Sequence, residues 1–322
     1  MTERSEGINR LSPSGRGGAE RRVWGRLPDG TRDALTDGLA PADLRTALLD
    51  VARTRAAAVR PADLLRRWRD DRFVRPADSD PRVLAEVEAR LWRLLPAEFD
   101  GVELSPVVPL GTCSAVAPVS QDRIVSTVRA TEVVSDATNA LAVEAAVRRR
   151  RQPVAGAVHL AASHRHLRAQ LFGPGAAAHF RLFTLVSSAR DTGSGRTEAA
   201  LLARHLAYWR RVLAALPTAA APRLRYTVLD DPVVAERIGE LLPGLAAAGG
   251  VDVVEEPDRE RGRGYYVAAA LRLTAQDGTG PVELGDGGFT GWTALLTGDA
   301  KERCLISCLS TERFAALAGG PR

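Results

Sequence analysis

Two stretches of this 322-residue chain read as strands joined by short connections, and they restrict its fold more than any other feature. Arg168 to Val186 folds back across a loop containing Phe172-Gly173-Pro174-Gly175. Val267 to Leu309 runs from an apolar segment, Val267 to Leu273, through Gly285-Asp286-Gly287-Gly288-Phe289 to Cys304-Leu305-Ile306-Ser307-Cys308-Leu309, with Glu312-Arg313 just beyond. The glycine cluster is expected to form the turn of the second pair. Strands this close in sequence pair antiparallel, whereas parallel neighbours need a longer crossover. A mostly antiparallel sheet with flanking helices, an α+β fold, is therefore expected in place of a doubly wound one.

The remaining segments supply the helices. Residues 1–36 are rich in Gly, Arg, Ser and Asp without periodicity and read as a disordered basic tail. Residues 37–78 read as a small helical extension. Pro41-Ala42-Asp43 and Pro61-Ala62-Asp63 each place a proline at a first helical turn with an acid behind it. Residues 79–322 read as the core. Its first helix starts at Ser79-Asp80-Pro81, with Val83, Leu84, Val87, Leu91 and Leu94 on one face. A strand over Val102–Val108 with Pro106 inside it follows, and further strands are expected at Ile124–Val128 and Glu132–Val134. After a helix from Ala140 to about Arg149 come a strand at Val158–Ala162 and a long helix over Glu198–Leu216. Leu224–Leu229 and Val251–Glu255 read as strands on either side of a helix opened by Asp231-Pro232.

Composition excludes several classes. The net charge of +5 is nearly all arginine and spread along the chain, which is not the clustered face a nucleic-acid footprint needs. Three cysteines, Cys113, Cys304 and Cys308, give no disulfide framework and no zinc pattern, and a reduced, cytoplasmic setting is expected. No apolar run reaches the roughly 18 residues of a membrane span, and no secretory apolar segment opens the chain. Gly193-Ser194-Gly195-Arg196-Thr197 lacks the lysine and spacing of a phosphate loop. His159, His164 and His166 read as ordinary strand histidines, and no metal site is expected.

The residues that could carry chemistry fall in four places: Arg168 and Gln170, with Phe183 across the hairpin; Asp136 and Thr138 at a helix start; Arg261-Gly262-Arg263-Gly264-Tyr265-Tyr266; and Glu312-Arg313. A guanidinium grips two phosphate oxygens at once and stays charged, so Arg168 suits an anionic ligand. Asp136 reads as an N-cap; the resemblance below gives it a second role with equal weight.

Taken in order, these segments resemble the motifs of class II aminoacyl-tRNA synthetase catalytic domains, the histidyl type in particular, over about Asp80 to Phe314. The helix and strand of residues 80–108 resemble the motif that builds that family's dimer, with Pro106 at its proline, so a homodimer is implied. The resemblance assigns Arg168 to the α-phosphate of ATP, Gln170 to its adenine, and Phe183 to the ATP site. It puts Glu312 and Arg313 at ATP as well, the arginine on the γ-phosphate. Asp136 and Thr138 would take an amino acid's ammonium group. Arg261 would bridge carboxylate and phosphate, and Tyr265 and Tyr266 would line the pocket. Arg168, Arg261 and Arg313 are the implied catalytic residues, with ATP and Mg2+ as cofactors. Gln170 stands for the family's glutamate, Gly264 for an acid, and Ser307–Thr311 for glycines. Leu185 and Ala189 replace polar groups that hold histidine, so histidine is not the expected substrate. The chain stops after the last motif, so ordinary tRNA charging is not expected. The implied function is ATP-dependent activation of an amino or carboxylic acid as an adenylate, with transfer to another acceptor such as a carrier or protein partner. The alternative is a catalytically inactive, ligand-binding subunit similar to the regulatory subunit of ATP phosphoribosyltransferase.

Overall fold

The computed structural model describes residues 13–151, 156–172, 177–229, 231–247 and 251–318. Helices are α1 (Pro13–Trp24), α2 (Thr31–Asp33), α3 (Pro41–Ala57), α4 (Pro61–Asp70), α5 (Pro81–Leu94), α6 (Thr112–Val116), α7 (Ala137–Arg151), α8 (Arg196–Leu213), α9 (Pro232–Ala247), α10 (Trp292–Thr297) and α11 (Thr311–Ala318). Strands are β1 (Asp100–Gly101), β2 (Val107–Pro109), β3 (Thr131–Val133), β4 (Val158–Leu167), β5 (His179–Arg190), β6 (Arg223–Val228), β7 (Val253–Glu255), β8 (Val267–Asp277), β9 (Gly280–Thr290) and β10 (Glu302–Ser310).

The chain divides into two compact units. One comprises the described residues up to Asp63 with Val128–Ala130; the other comprises Leu64–Thr127 and the described residues from Thr131. In the first unit, α3 starts at Pro41 and α4 at Pro61, where proline's fixed φ favours a first turn. The tail expected to be disordered is helical over Pro13–Trp24, where Ala19-Glu20-Arg21-Arg22 favour helix against Gly15, Gly17 and Gly18, and its first residues lie outside the described ones.

The second unit is built on an eight-stranded sheet, ordered β1-β4-β5-β10-β9-β8-β6-β7. Its five central pairings are antiparallel and the two outermost are parallel. Alternation along each strand divides the side chains between two faces. On one face Phe183, Leu185, Leu271, Leu273, Phe289, Leu305 and Leu309 form the main core with Leu84, Val87 and Leu91 of α5 and Leu202, Leu206 and Trp209 of α8. On the other, Leu160, Ala162, Val186, Ala270, Cys304 and Ile306 pack beneath Leu141, Ala142 and Ala145 of α7. The small residues of α7 let that helix lie close to the sheet, which brings its N-terminus onto the sheet's open end.

Three sequence expectations change. The strand expected over Val102–Val108 is interrupted: only Asp100–Gly101 and Val107–Pro109 pair, on either side of Pro106, which has no N–H to give a ladder. Ile124–Val128 makes only an isolated bridge, Ser126 to Glu132. The glycine cluster is not a turn. It lies inside β9, and the hairpin turns at Asp277–Gly280. A Cβ at Gly285 would fall on the Cys308 carbonyl, one at Gly287 on the Ile306 carbonyl, and one at Gly288 within 2.5 Å of the Tyr266 ring. The glycines are there because β10 and Tyr266 occupy the space.

The core between sheet and α8 contains a chain of polar groups. His159 Nδ1 lies 2.7 Å from Ser187 Oγ, which lies 2.8 Å from His205 Nε2. His205 Nδ1 lies 2.8 Å from Ser307 Oγ, and Trp209 Nε1 donates to the same oxygen at 2.9 Å. Burial holds His159 down to about 4 and His205 well below the ordinary 6.5. Between those values the unfolded chain binds protons that the folded chain does not, so protonation favours unfolding. Stability is therefore expected to be fully present above pH 6.5 and to decline as pH falls from about 6.5 toward 4. Urea midpoints measured across that window check this. A His205→Gln variant, which keeps one donor and one acceptor, should flatten the decline.

Candidate functional site

At the open end of the sheet, the start of α7 meets the ends of β4 and β5. Asp136 caps α7. Its Oδ1 accepts from Thr138 N at 3.0 Å and from Thr138 Oγ1 at 2.6 Å. Arg168, one residue past β4, donates from Nε to Ser135 O at 2.8 Å and from Nη2 to Asp136 Oδ2 at 3.3 Å. The cap and the cation receptor weighed for Asp136 are thus one carboxylate, with one oxygen for the helix and the other for Arg168. Arg168 Nη1 has no hydrogen-bond partner among the described residues, and its side chain is 29% exposed. The guanidinium stands 5.0 Å from the Phe180 ring centre.

Phe180, not Phe183, is the aromatic facing this site. The two are an odd number of residues apart on β5, so they point to opposite faces. Phe183 is fully buried in the main core against Trp92, Tyr208 and Trp209, and that removes it from the expected ATP contact. Leu185 and Ala189 share its face. The site side of β5 is Phe180, Leu182, Thr184, Val186 and Ser188, opposite Ser310, Cys308, Ile306 and Cys304 on β10. The same parity directs Ser307 and Leu309 away from the site, so the replaced glycines crowd it only through Cys308 and Ser310.

His166 also faces the site. Its Nε2 accepts from Ala137 N at 2.7 Å, so the neutral ring carries its proton on Nδ1, and it stacks on Phe180 with centroids 5.8 Å apart. Burial, aided by the Arg168 charge, lowers it to about 3. It fixes the Asp136–Thr138 turn relative to β4.

The other wall is the loop entering β8. Tyr265 and Tyr266 sit edge-on at 4.9 Å, and Tyr265 meets Trp292 at 6.0 Å. Burial, then the carboxylates of Asp136 and Asp286, raises the Tyr265 phenol. Burial and the same two carboxylates raise the Cys308 thiol. These groups are neutral near pH 7 and offer donors, not bases. Asp286 reaches the site from β9, and burial, then Glu283, raises its carboxyl. Its neighbour is Arg259 at 3.7 Å.

Arg259 is the buried arginine of this loop, 5% exposed, donating to Arg261 O at 2.7 Å and Leu271 O at 2.9 Å. Arg261, the expected bridge between carboxylate and phosphate, is on the surface: its side chain is 72% exposed and pairs with Glu283 at 2.9 Å. Glu312 and Arg313 are not on the last strand but in the first turn of α11. Glu312 accepts from Arg165 at 3.0 Å, while Arg313 is exposed and donates to Glu283 O at 2.7 Å. Gln170 lies past the end of β4, and its main-chain carbonyl accepts from Arg72 at 2.7 Å. Part of the loop after it, residues 173–176, lies outside the described residues.

The structure thus brings Asp136, Thr138, Arg168, Tyr265 and Tyr266 to one end of the sheet and gathers Arg261 and Arg313 around Glu283. Phe180, His166, Arg259, Asp286 and Cys308 complete the setting. Of these, Phe180 was reachable by counting strand parity back from Arg168. Among the described residues no group of three or more His, Cys, Asp or Glu could hold a metal ion. The implied magnesium is therefore assigned no residue and no step.

No protein-family model and no curated protein sequence matches the chain. Solved structures do. An apo histidyl-tRNA synthetase from S. aureus is similar at a TM-score of 0.57 and 16% identity, over 76% of this chain and 70% of that one. An ATP phosphoribosyltransferase regulatory subunit/histidyl-tRNA synthetase from Bacillus halodurans gives 0.58 at 11% identity, over 77% of this chain and 83% of that one. A histidine–tRNA ligase subunit from Alicyclobacillus acidocaldarius gives 0.55 at 14%, over 76% and 97%. At these identities the likeness establishes the fold alone: this chain has a class II synthetase-like fold, a mostly antiparallel sheet flanked by helices. No helix among the described residues is long and apolar enough to cross a membrane.

Proposed function

We propose that this chain binds ATP and an amino or carboxylic acid at the Asp136–Arg168–Tyr265 site and joins them as an acyl-adenylate for transfer to an acceptor other than ordinary tRNA. The observation that carries this reading is the state of Arg168. Two of its nitrogens are locked by Ser135 and Asp136, and the third is left for a ligand beside an aromatic ring. A guanidinium held in this way is pre-oriented to neutralise charge developing at phosphorus as the acid's carboxylate attacks and pyrophosphate leaves. Asp136 and Thr138 would receive the ammonium group when the acid is an amino acid, and the neutral Tyr265 phenol would donate to its oxygens. Pairing of two copies through residues 80–108, and a carrier or protein as acceptor, belong to the same proposal.

Pyrophosphate exchange into ATP, screened across amino and carboxylic acids, tests it. At least one acid should stimulate exchange, and Arg168→Ala should lower it at least about 100-fold. Absence of ATP binding at millimolar concentration would sink the proposal. The position of Glu312, held by Arg165, favours a second reading in which the chain only binds a ligand and acts as a subunit of another enzyme. ATP binding without exchange for any acid supports that reading.

A further inference from the structure

The site described above contains a carboxylate, Asp286, that the proposed reaction does not use. The register of the sheet places it. On the face toward α7, Thr184 of β5 lies opposite Cys308 of β10. The pairing of Ser307 with Gly287 sets Cys308 beside Asp286 of β9, and Asp286 lies opposite Arg272 of β8. A Cβ at Gly288, two residues on, would meet the Tyr266 ring, so Asp286 points to the face that Tyr266 covers. With strands about 4.8 Å apart, Asp286 stands one strand from Cys308 and two from Thr184.

The Asp286 side chain is 28% exposed, and no donor among the described residues hydrogen-bonds to its carboxylate. Arg259 Nη2 stands 3.7 Å away, beyond hydrogen-bond distance. That arginine's side chain is 4% exposed, and its Nε and Nη1 donate to Arg261 O and Leu271 O. Arg272 is held by Glu256 at 3.2 Å and Glu283 at 3.4 Å. Both arginines beside Asp286 are thus engaged elsewhere, and its oxygens stay open to the site. Asp136 and Arg168, 27% and 29% exposed, share the basin with the half-buried Tyr265 and Cys308. The Asp136 charge acts on Tyr265, Asp286 and Cys308 alike, so the two carboxylates border one space.

Counted by what a ligand can touch, this basin presents two carboxylates, one guanidinium and neutral donors. An α-amino acid answers Asp136 with its ammonium group and Arg168 with its carboxylate, and Asp286 is left over. Burial, then Glu283, raises the Asp286 carboxyl, because little around it compensates its charge. A cationic group on the side chain would supply that compensation. A neutral side chain would leave the carboxylate bare, and an acidic one would repel it.

We propose that Asp286 sets the substrate class of this site: an α-amino acid whose aliphatic side chain ends in an ammonium or guanidinium group. The inference rests on the amino-acid reading of the site given above. Isothermal titration of the full chain tests it, with lysine, ornithine and arginine each set beside an uncharged analogue (Nε-acetyl-lysine, Nδ-acetyl-ornithine and citrulline). Pyrophosphate exchange is run on the same panel. At least one cationic amino acid should bind, and its analogue should bind at least about tenfold more weakly. Asp286→Asn should abolish that difference, and the comparison in the parent chain decides the matter even where the variant does not fold. Equal binding of cationic and uncharged members, a difference that survives in a folded Asp286→Asn chain, or no binding by any cationic member overturns the proposal. Selective binding of a cationic amino acid without exchange upholds it and removes adenylation, whereas exchange driven only by uncharged acids does the reverse.

Discussion

Replacing Arg149 with methionine should cost about 3–5 kcal/mol of folding stability, a large fraction of the roughly 5–15 kcal/mol that holds a domain together. Arg149 and Glu302 are 3% and 5% exposed in their side chains and joined at 2.8 Å, with a second arginine nitrogen 3.1 Å from each carboxylate oxygen. Arg149 also donates to Gly156 O, and Glu302 accepts from Ser188 Oγ at 3.1 Å. The pair ties the C-terminal turn of α7 to the start of β10, so it sets the angle at which the other end of α7 presents Asp136. Removing the arginine leaves a carboxylate buried with only neutral partners, and that uncompensated charge is the source of the loss. Removing both, as Arg149→Met with Glu302→Leu, should recover most of it. Urea denaturation of the two variants decides the matter. A single-variant loss below about 1 kcal/mol would show that water reaches the pair.

The second large effect is expected at Gly285. Alanine there places a methyl group on the Cys308 carbonyl, which belongs to the backbone of the neighbouring strand and has no rotamer to move. β9 and β10 must separate or slip, at about 3 kcal/mol. The damage should reach the site, because Asp286 follows directly and the Tyr266 ring rests on Gly288. Gly278, in the hairpin turn, meets nothing within 4 Å and serves as the control. Its alanine variant should unfold within about 0.5 kcal/mol of the parent chain. Equal effects at the two positions would mean that β9 is not pressed against β10 as described.

Much of the fold was legible because local chemistry specified it. Pro41, Pro61 and Pro81 mark helix starts that the structure places at those residues, and Asp80 caps the last with its carboxylate on Arg82 N. The mostly antiparallel sheet follows from hairpin neighbours with apolar alternation, and the likeness to histidyl-type synthetase structures agrees with it. The glycine cluster was visible but misplaced. Glycine marks both turns and close approaches, and only the strand packed alongside tells the two apart.

The site was legible as residue types and not as geometry. Asp136, Thr138, Arg168, Tyr265 and Tyr266 are named by sequence and do assemble. Phe183 was lost to strand parity, Arg261 to its exposure, and Glu312 to Arg165. Each of those outcomes depends on a partner far along the chain: Trp92 for Phe183, Glu283 for Arg261, and an arginine 147 positions away for Glu312. By itself, then, the sequence determined where the proline-marked helices begin, that the sheet is mostly antiparallel, and which charged and aromatic residues could act together. Only the tertiary structure decided which face each side chain takes, which arginine is buried, and where polar groups are left without partners. Local propensity acts over a few residues, whereas burial and ion pairing are fixed here by contacts between residues 22 to 147 positions apart.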